Sequence, residues 1–496
     1  MVPGSAEEFD VVITGGGPAG STLAALLAMQ GHRVLILEKE KFPRYQIGES
    51  LLPSTIHGIC RLIGVADEVA KAGFMRKHGG TFKWGANAEP WTFAFAVSQK
   101  LAGSTSFAYQ VERMRFDQIL LDNARRLGAE VREQCPVSSV IDDDERVRGV
   151  RYAGPDGREH EVLARYVVDA SGNKSRIYSV VGGTRQYSEF FRNLALFGYF
   201  DHGKRLPAPN AGNILCEAFE SGWFWYIPLT DTRTSVGAVV RRELASRVQG
   251  DPEEVLKSLI DESPIIRDYL SGATRVTEGE YGKLRVRKDY SYHQTKFWRP
   301  GMVLIGDAAC FVDPVFSSGV HLATYSALLA ARSINSILAG TVGEQAAFTE
   351  FEARYRREYG VFYEFLTSFY DMHAGEQSYF WAARKVTKDS QSELEAFVDL
   401  VGGLSSGESA LATADVAKRF KAGSDEFARA IDTMASDKDK SMVPLFKSSV
   451  VRKAMQESAQ VQSRAILGAE FGSEPPIFEN GLVPSLDGMF WRIPQS

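Results

Sequence analysis

The chain has 496 residues, of which 44% are hydrophobic and 24% charged, and its 57 basic and 62 acidic side chains leave a formal charge of −5. That balance excludes a disordered, collagen-like or coiled-coil chain and gives no electrostatic basis for binding nucleic acid. No apolar run of about 18 residues is present, so no membrane span is expected. Without a signal-peptide pattern and with four scattered cysteines, the chain is predicted to be cytoplasmic. The eight histidines show no metal-binding spacing, so no metal is expected.

The first forty residues predict a strand, a helix and a second strand. An apolar β-branched run at residues 9–14 meets glycines, as buried strands of parallel sheets do. Apolar residues recur at helical spacing over 18–30, and Gly31 follows the last turn. Residues 34–37 form another apolar run, which ends in Glu38. This order is typical of a nucleotide-binding β-α-β unit.

The turn between the first strand and the helix has the sequence GGGPAG, which begins at Gly15 and fits the pattern GxGxxG. Gly15 permits the tight turn, Gly17 lets the backbone approach a pyrophosphate, and Gly20 allows close helix–strand packing, with Ala19 beside it. Glu38 lies where a carboxylate accepts hydrogen bonds from ribose hydroxyls. Together they predict a dinucleotide site, and the alternative is a packing turn with a solvated Glu38.

Further segments alternate between the two kinds of structure. Their patterns predict an amphipathic helix at 116–127, two short strands within 131–151, a helix at 252–260, a strand at 302–305 and a helix at 320–338. Nucleotide-type segments thus occur early, in the middle and late in the chain. The intervening residues, about 76–104 and 186–280, are expected to form a second, substrate-side sheet. Residues 373–496 are more polar and predict a C-terminal helical region.

Three later segments resemble the FAD-dependent monooxygenase and halogenase superfamily. They are RMRFD from Arg113, DASG from Asp169 and GDAA from Gly306. The resemblance implies that Asp307 accepts hydrogen bonds from the ribityl chain and that Arg113 is a flavin-side cation. The alternatives are a helix cap or a surface salt bridge. With the glycine turn, these segments make FAD the expected dinucleotide.

Two segments resemble flavin-dependent halogenases in particular. The sequence WFWYIP matches the WxWxIP motif, and alternation places Trp223 and Trp225 on one face of a strand that ends at Pro228. In the family, these residues wall the flavin off from the organic substrate; the alternative is an aromatic core strand. Lys77, downstream of the sequence GES at Gly48, matches the family's active-site lysine. Its ammonium would hydrogen-bond hypohalous acid or form a chloramine, whereas most lysines are solvated surface groups.

The resemblance also implies a halide seat. In halogenases two consecutive backbone amides hold chloride, and here they correspond to Ser318 and Gly319, before the expected helix at 320–338. Tryptophan halogenases carry a catalytic glutamate two positions earlier, where this chain has Phe316. That difference disfavours free tryptophan as substrate and favours an electron-rich phenol or pyrrole.

The resemblance runs through residues 8–385 and is strongest to carrier-protein-dependent tyrosyl and phenol halogenases of glycopeptide, enediyne and chondrochloren biosynthesis. We therefore expect an α/β fold in which residues 1–372 form an FAD-binding, monooxygenase-like module of the aromatic-hydroxylase type. The expected activity is chlorination or bromination of a tyrosyl-type ring held on a peptidyl carrier protein. No second nucleotide motif is present, so the FADH2 is expected to come from a separate flavin reductase. The alternatives are a flavin-dependent aromatic hydroxylase and a non-catalytic flavoprotein that binds a carrier protein.

Two other features allow more than one interpretation. The basic stretch KLRVRK from Lys283 is consistent with docking an acidic carrier protein, but also with a solvated strand face. His321 follows the proposed halide loop, and a histidine at a helix start is expected to be structural.

Overall fold

The structure is a computed structural model, and it describes residues 7–84, 89–98, 101, 103–371, 393–404 and 476–494. Most of the expected C-terminal helical region, residues 373–496, lies outside these ranges. The part of it that is described consists of a helix and a two-stranded hairpin.

Helices and strands are interspersed along the described residues. The helices are α1 Pro18–Ala28, α2 Ala66–Lys71, α3 Arg113–Arg126, α4 Pro252–Asp261, α5 Pro264–Tyr269, α6 Ser318–Leu338, α7 Glu344–Asp371 and α8 Glu393–Val401, with a π-helical segment at Ser54–Cys60. The strands of the first half are β1 Glu7–Thr14, β2 Val34–Leu37, β3 Met75–Lys77, β4 Gly79–Lys83, β5 Trp91–Ala94, β6 Ala108–Gln110, β7 Glu130–Arg132, β8 Val137–Asp142, β9 Val147–Ala153, β10 Glu159–Asp169 and β11 Arg185–Asp201. The remaining strands are β12 Ile214–Phe219, β13 Gly222–Pro228, β14 Arg233–Val240, β15 Thr274–Arg275, β16 Arg285–Gln294, β17 Trp298–Arg299, β18 Met302–Leu304, β19 Cys310–Phe311, β20 Val483–Pro484 and β21 Trp491–Arg492.

The first sheet is the nucleotide-binding sheet. Its strand order is β17-β18-β10-β1-β2-β7, and the four neighbouring pairs from β18 to β7 are parallel. Strands β8 and β9 extend it through an antiparallel pairing of β9 with β10. The region expected to hold two strands therefore holds three, because residues 130–132 pair with the end of β2. The first sheet confirms the predicted β-α-β unit, with β2 at the predicted residues.

The second sheet has nine strands, of which eight follow the order β19-β16-β11-β14-β13-β12-β4-β5. It extends past the expected bound at residue 280, because β16 forms a long antiparallel ladder with β11 and then pairs with β19. One face contributes Trp223, Trp225 and Cys216 to the main core, whereas Phe224 and Tyr226 face the cluster that α4 and α5 cover. The predicted period-two alternation of the WFWYIP strand is therefore confirmed.

Candidate functional site

The glycine turn has the steric requirements of a nucleotide cradle. Gly15 has a φ of +102°, and a Cβ placed there would lie 2.6 Å from the carbonyl oxygen of Ala170. A Cβ at Gly20 would lie 1.9 Å from the carbonyl oxygen of Gly15, so α1 approaches the turn only because residue 20 is glycine. Ala19 is buried at the same helix start, and its Cβ would lie 3.2 Å from a Cβ at Gly306. The turn thus brings three of the predicted cofactor segments together.

The start of α1 is open to an anionic ligand. No side chain caps the helix at Gly17, and its first turn contains no acidic residue. Glu38 is only 4% exposed and accepts hydrogen bonds from the amides of Gly16, at 2.7 Å, and Glu40, at 2.8 Å. The alternative of a solvated Glu38 is therefore wrong. Uncapped amides and the positive end of the helix dipole suit a pyrophosphate, and a buried strand-end carboxylate suits a ribose, so these residues fit FAD.

Arg113 lies at the first position of α3 and is buried. Its guanidinium makes two hydrogen bonds with Asp117, at 2.7 and 2.9 Å, and Nη1 donates to the carbonyl oxygens of Ile47 and Gly48. Because Asp117 is fully buried, this ion pair is internal, and the surface salt bridge considered above is wrong. Arg113 therefore holds the chain just before Glu49.

Asp307 lies in a short 3-10 turn just after β18, so the expected position of GDAA after a strand is confirmed. Burial raises its pKa to about 6, although the positive charge of Arg113 lowers it. The neighbouring Gly306 has a φ of +56°, and its amide donates to Ser326 Oγ at 2.9 Å. Burial also raises the pKa of Asp169, whose carboxylate accepts hydrogen bonds from Ser171 and Thr14. Asp169 thus braces the junction of β1 with β10, while Asp307 stays near Arg113.

Lys77 ends β3 and is only 3% exposed. Its Nζ donates to Ser50 Oγ at 2.9 Å and to the carbonyl oxygen of Leu51 at 3.2 Å, and it lies 5.7 Å from the ring centroid of Phe95. Burial lowers the pKa of the amine to about 7, and the Cys216 thiol opposes this shift. A solvated lysine is therefore excluded. At pH 7 about half of such an amine is deprotonated, so it can act as a nucleophile or, when protonated, as a hydrogen-bond donor.

Trp223 and Trp225 lie side by side on β13, with ring centroids 6.2 Å apart. Both rings are buried, and Trp225 Nε1 donates to Ser235 Oγ at 3.1 Å. Trp223 Nε1 is buried and has no hydrogen-bond partner among the described residues, so this indole N–H is an unsatisfied donor. Pro228 is the last residue of the strand and pairs with Thr234.

The proposed halide loop lies at the start of α6. Ser317 has a φ of +60°, and this left-handed turn starts the helix at Ser318, two residues before the predicted start. No side chain caps α6, its first turn has no acidic residue, and Ser318 Oγ has no partner among the described residues. A Cβ at Gly319 would meet no atom within 4 Å. The helix start thus offers uncapped amides beside open space, which is a favourable environment for a small anion.

Aromatic rings connect the lysine with this loop. Centroid distances are 5.7 Å from Phe95 to Phe93, 6.1 Å from Phe93 to Phe82 and 5.9 Å from Phe82 to Phe316. The thiol of Cys216 interacts electrostatically with Lys77 and with Asp313, the residue that opens the loop. A continuous cluster of packed aromatic rings therefore links Lys77 with the proposed halide loop.

Sequence reasoning assigned no role to two buried carboxyl groups in this region. Glu49 Oε1 accepts a hydrogen bond from the hydroxyl of Tyr199 at 2.8 Å, and that hydroxyl lies 2.6 Å from the hydroxyl of half-buried Tyr45. Burial raises the pKa of Glu49 to about 7 and that of Asp313 to about 6. Glu49 belongs to the GES sequence, which is the only signal that would have drawn attention to it.

The described part of the chain contains no group of three or more potential metal-ligating side chains. In the same residues, no helix is long and apolar enough to cross a membrane.

The sequence is similar to that of known halogenases. The sequence matches the tryptophan halogenase family over residues 10–103 and 96–429. It is 35% identical over 442 residues to a tryptophan 2-halogenase of Chondromyces crocatus, covering 86% of this chain and 81% of the relative. A 1H-pyrrole-2-carbonyl-[peptidyl-carrier protein] chlorinase of Pseudomonas fluorescens is 32% identical, over 74% of this chain and 85% of the relative.

The fold is also similar to that of a solved halogenase structure over nearly the whole chain. The myxobacterial chondrochloren halogenase, described as a new variant of FAD-dependent halogenases, is 50% identical with a TM-score of 0.74, covering 98% of this chain and 100% of the other. The α/β fold and the glycine turn between β1 and α1 are those expected for such an enzyme. The chain therefore belongs to the tryptophan halogenase family and is a flavin-dependent halogenase of aromatic substrates.

Proposed function

We propose that this halogenase chlorinates or brominates a tyrosyl-type phenol tethered to a peptidyl carrier protein, and that a separate flavin reductase supplies the FADH2. The observation that carries the proposal is Lys77, a buried amine with a pKa of about 7 beside a cluster of aromatic rings. Ser50 and Leu51 give it only neutral acceptors, so no carboxylate is described that would hold it as a permanently paired ammonium.

The two ends of the site divide the work. Bound FAD, once reduced, supplies the electrons with which oxygen and a halide give hypohalous acid. Gly15, Gly17, Ala19 and Gly20 with Glu38 would hold its pyrophosphate and adenosine, and Asp307 with Arg113 its flavin end. The amides of Ser318 and Gly319 would hold the halide, because they form the uncapped start of α6.

Lys77 would receive the hypohalous acid, as a hydrogen-bonded molecule or as a chloramine. In the second form, the amine nitrogen takes the halogen, and the released hydroxide combines with the amine proton to give water. The aromatic ring then takes the halogen ortho to its hydroxyl group, and the ring proton that it loses returns to the amine nitrogen and restores Lys77. Trp223 and Trp225 would separate the two ends, since both lie buried on the core face of β13, and Pro228 ends that strand beside them.

The choice of substrate rests on Phe316 and on the relatives. Phe316 is packed among rings, with Phe369 at 4.8 Å and Phe365 at 5.0 Å, so position 316 does not supply the carboxylate that tryptophan halogenases carry there. A phenol is electron-rich enough to react without that help. One relative is named as a chlorinase of a carrier-bound pyrrole, and a structural neighbour is a chondrochloren halogenase.

The test is a set of parallel reactions with enzyme, FAD, flavin reductase, NADH, oxygen and chloride, analysed by mass spectrometry. The substrates are free tyrosine, free tryptophan and a tyrosyl group loaded on a carrier protein. We expect one chlorine to be added only to the tethered tyrosyl group. Chlorine on a free amino acid would contradict the carrier requirement, and oxygen gained without chlorine would identify the enzyme as a hydroxylase. Tight carrier binding without any product would indicate a non-catalytic flavoprotein.

A further inference from the structure

His321 occupies a buried, fully bonded position in the first turn of α6. Its Nδ1 lies 2.9 Å from Ser54 Oγ, and its Nε2 lies 2.7 Å from Glu358 Oε1 on α7. Ser54 and Glu358 are fully buried, and His321 is 3% exposed. The ring is therefore held from both sides, two residues beyond Gly319.

The stability that burial gives to the fold does not by itself explain why polar groups stand at these positions. Glu358 Oε2 has no hydrogen-bond partner among the described residues, and a buried carboxylate oxygen without a partner is destabilising. An apolar side chain at 358 would avoid that cost. A buried polar group that is retained at a cost commonly fixes a geometry that the protein needs.

Ser54 belongs to the same short stretch that contacts Lys77. The Lys77 amine donates to Ser50 Oγ and to the Leu51 carbonyl, and Ser54 follows three residues later at the start of the π-helical segment. One stretch of chain thus contacts Lys77 at one end and the first turn of α6, through His321, at the other. Displacing His321 would change the position of the halide loop relative to Lys77.

The backbone after α8 closes this contact on its third side. The Ser54 amide donates to the Gly402 carbonyl at 3.2 Å, and a Cβ at Gly403 would lie 2.2 Å from Ser54 Oγ and 2.9 Å from His321 Nδ1. Only glycine fits there, so the backbone packs directly on the hydrogen bond and keeps water out.

We propose that His321 is a positioning residue that fixes the halide-binding amides of Ser318 and Gly319 relative to Lys77, through Ser54 on one side and Glu358 on the other. The inference rests on the proposed function, because it gives these amides and Lys77 their roles. It departs from the sequence-based expectation of a merely structural histidine. In metal sites, hydrogen-bond partners that orient the ligating residues are worth about 10- to 100-fold in affinity or activity, and the lower end of that range sets the effect expected here.

The test compares His321→Ala and Ser54→Ala, singly and combined, with the wild type loaded with FAD. We expect the KM for chloride to rise about tenfold in each single variant, with a lower yield of halogenated product per flavin oxidised. The maximal rate of FADH2 oxidation should remain unchanged. The double variant should resemble the single variants, because both remove the same connection.

Thr324→Val is the matched control. Thr324 is buried on the same helix, one turn further along, but among the described residues its hydroxyl bonds only to the carbonyl oxygens of Val320 and His321. It should leave the chloride KM unchanged. A merely structural role for His321 would lower the melting temperature of the variants without changing their chloride KM, and that result would overturn the proposal.

A second readout does not depend on turnover. Chloride should raise the melting temperature of the FAD-loaded wild type more than gluconate at equal ionic strength, since a ligand that binds only the folded state stabilises it. That difference should shrink in His321→Ala and Ser54→Ala. An unchanged difference would contradict the inference even if the wild type gives no halogenated product, an outcome that would by itself refute only the proposed function.

Discussion

The nucleotide end and the lysine end of this halogenase are built in different ways. At the nucleotide end, Gly15 and Gly20 clear the path of the backbone, and Glu38 bonds to an amide 22 residues away in the chain. At the lysine end, Lys77 depends on side chains and carbonyls from other segments, with Ser50 and Leu51 as acceptors and Phe95 beside it. The first end depends on backbone clearance and amide hydrogen bonds around one β-α-β unit, and the second depends on side-chain contacts between separate elements.

This difference predicts that the two ends fail separately. A change at the lysine end should leave flavin binding and oxidation intact, because none of the described contacts of Lys77 involves the glycine turn. A change at the glycine turn should remove the cofactor and every later step. The predictions below test that separation, beginning with the largest effect.

Lys77→Ala should lower the rate of halogenated product formation by at least about 1000-fold, the scale for losing a catalytic group that transfers or positions the reacting species. FAD affinity and FADH2 oxidation should remain as in the wild type. Product is measured by mass spectrometry and flavin oxidation by absorbance. The control is Arg76→Ala, which changes the exposed neighbour whose guanidinium lies over Phe107. Chlorination that survives in Lys77→Ala would remove this residue from the mechanism.

Gly20→Ala should weaken FAD binding by roughly 100-fold, equivalent to about 3 kcal/mol. The new Cβ would lie 1.9 Å from the Gly15 carbonyl oxygen, so α1 has to move away from the turn. Flavin fluorescence titration measures the affinity. Gly360→Ala in α7 is the control, because a Cβ there would meet no atom within 4 Å. Alanine is also more favourable than glycine inside a helix, by about 0.5–1 kcal/mol. Equal FAD affinity in both variants would contradict the steric account of the turn.

Gly319→Pro should raise the KM for chloride about tenfold, the typical value of one hydrogen bond to a charged group. Proline removes the amide hydrogen at the second position of α6, where a helix tolerates proline. Gly319→Ala keeps the amide and has open space for its Cβ, so it should behave as the wild type. Steady-state rates over a chloride series make the measurement. A Gly319→Pro enzyme with an unchanged chloride KM would exclude this amide as a halide ligand.

The smallest effect concerns stability against pH. The Lys77 pKa is about 7 in the fold and about 10.4 in the unfolded chain, so between these values the unfolded state binds more protons. The free energy of unfolding should therefore rise with pH in the wild type relative to Lys77→Met, by about 1 kcal/mol between pH 7 and 8. Well below pH 7, Lys77 is protonated in both the folded and the unfolded state. The difference in the free energy of unfolding between the wild type and Lys77→Met should then become constant. Urea denaturation at several pH values measures it, and parallel curves above pH 7 would show that the amine is not perturbed.

The sequence predicted the nucleotide end better than the lysine end for the same physical reason. The turn at Gly15 and the strand that ends before Glu38 leave local patterns, and the structure has them where they were expected. The period-two alternation of Trp223 and Trp225 was equally readable. Local spacing holds the information in each of these cases.

The remaining features depend on contacts between residues that are far apart in the chain. No local pattern shows that Ser50 accepts from Lys77 or that Ser54 meets His321 across 267 positions. Nor does any local pattern show that Arg113, which is proposed to lie at the flavin end, also donates to the carbonyl oxygens of Ile47 and Gly48, 66 and 65 positions away. The helix after the halide loop was placed two residues late, because the left-handed turn at Ser317 has no glycine to signal it.

The most direct test of the central claim, that one end makes the halogenating species and the other delivers it, is a trapping experiment. Wild type and Lys77→Ala would each oxidise FADH2 with chloride and tethered substrate in the presence of taurine, which captures free hypochlorous acid as a chloramine. We predict chlorinated substrate and little taurine chloramine from the wild type. Lys77→Ala should give no chlorinated substrate and taurine chloramine in proportion to the flavin oxidised. Substrate chlorination by Lys77→Ala, or a variant that oxidises flavin at the wild-type rate without forming taurine chloramine, would contradict the account.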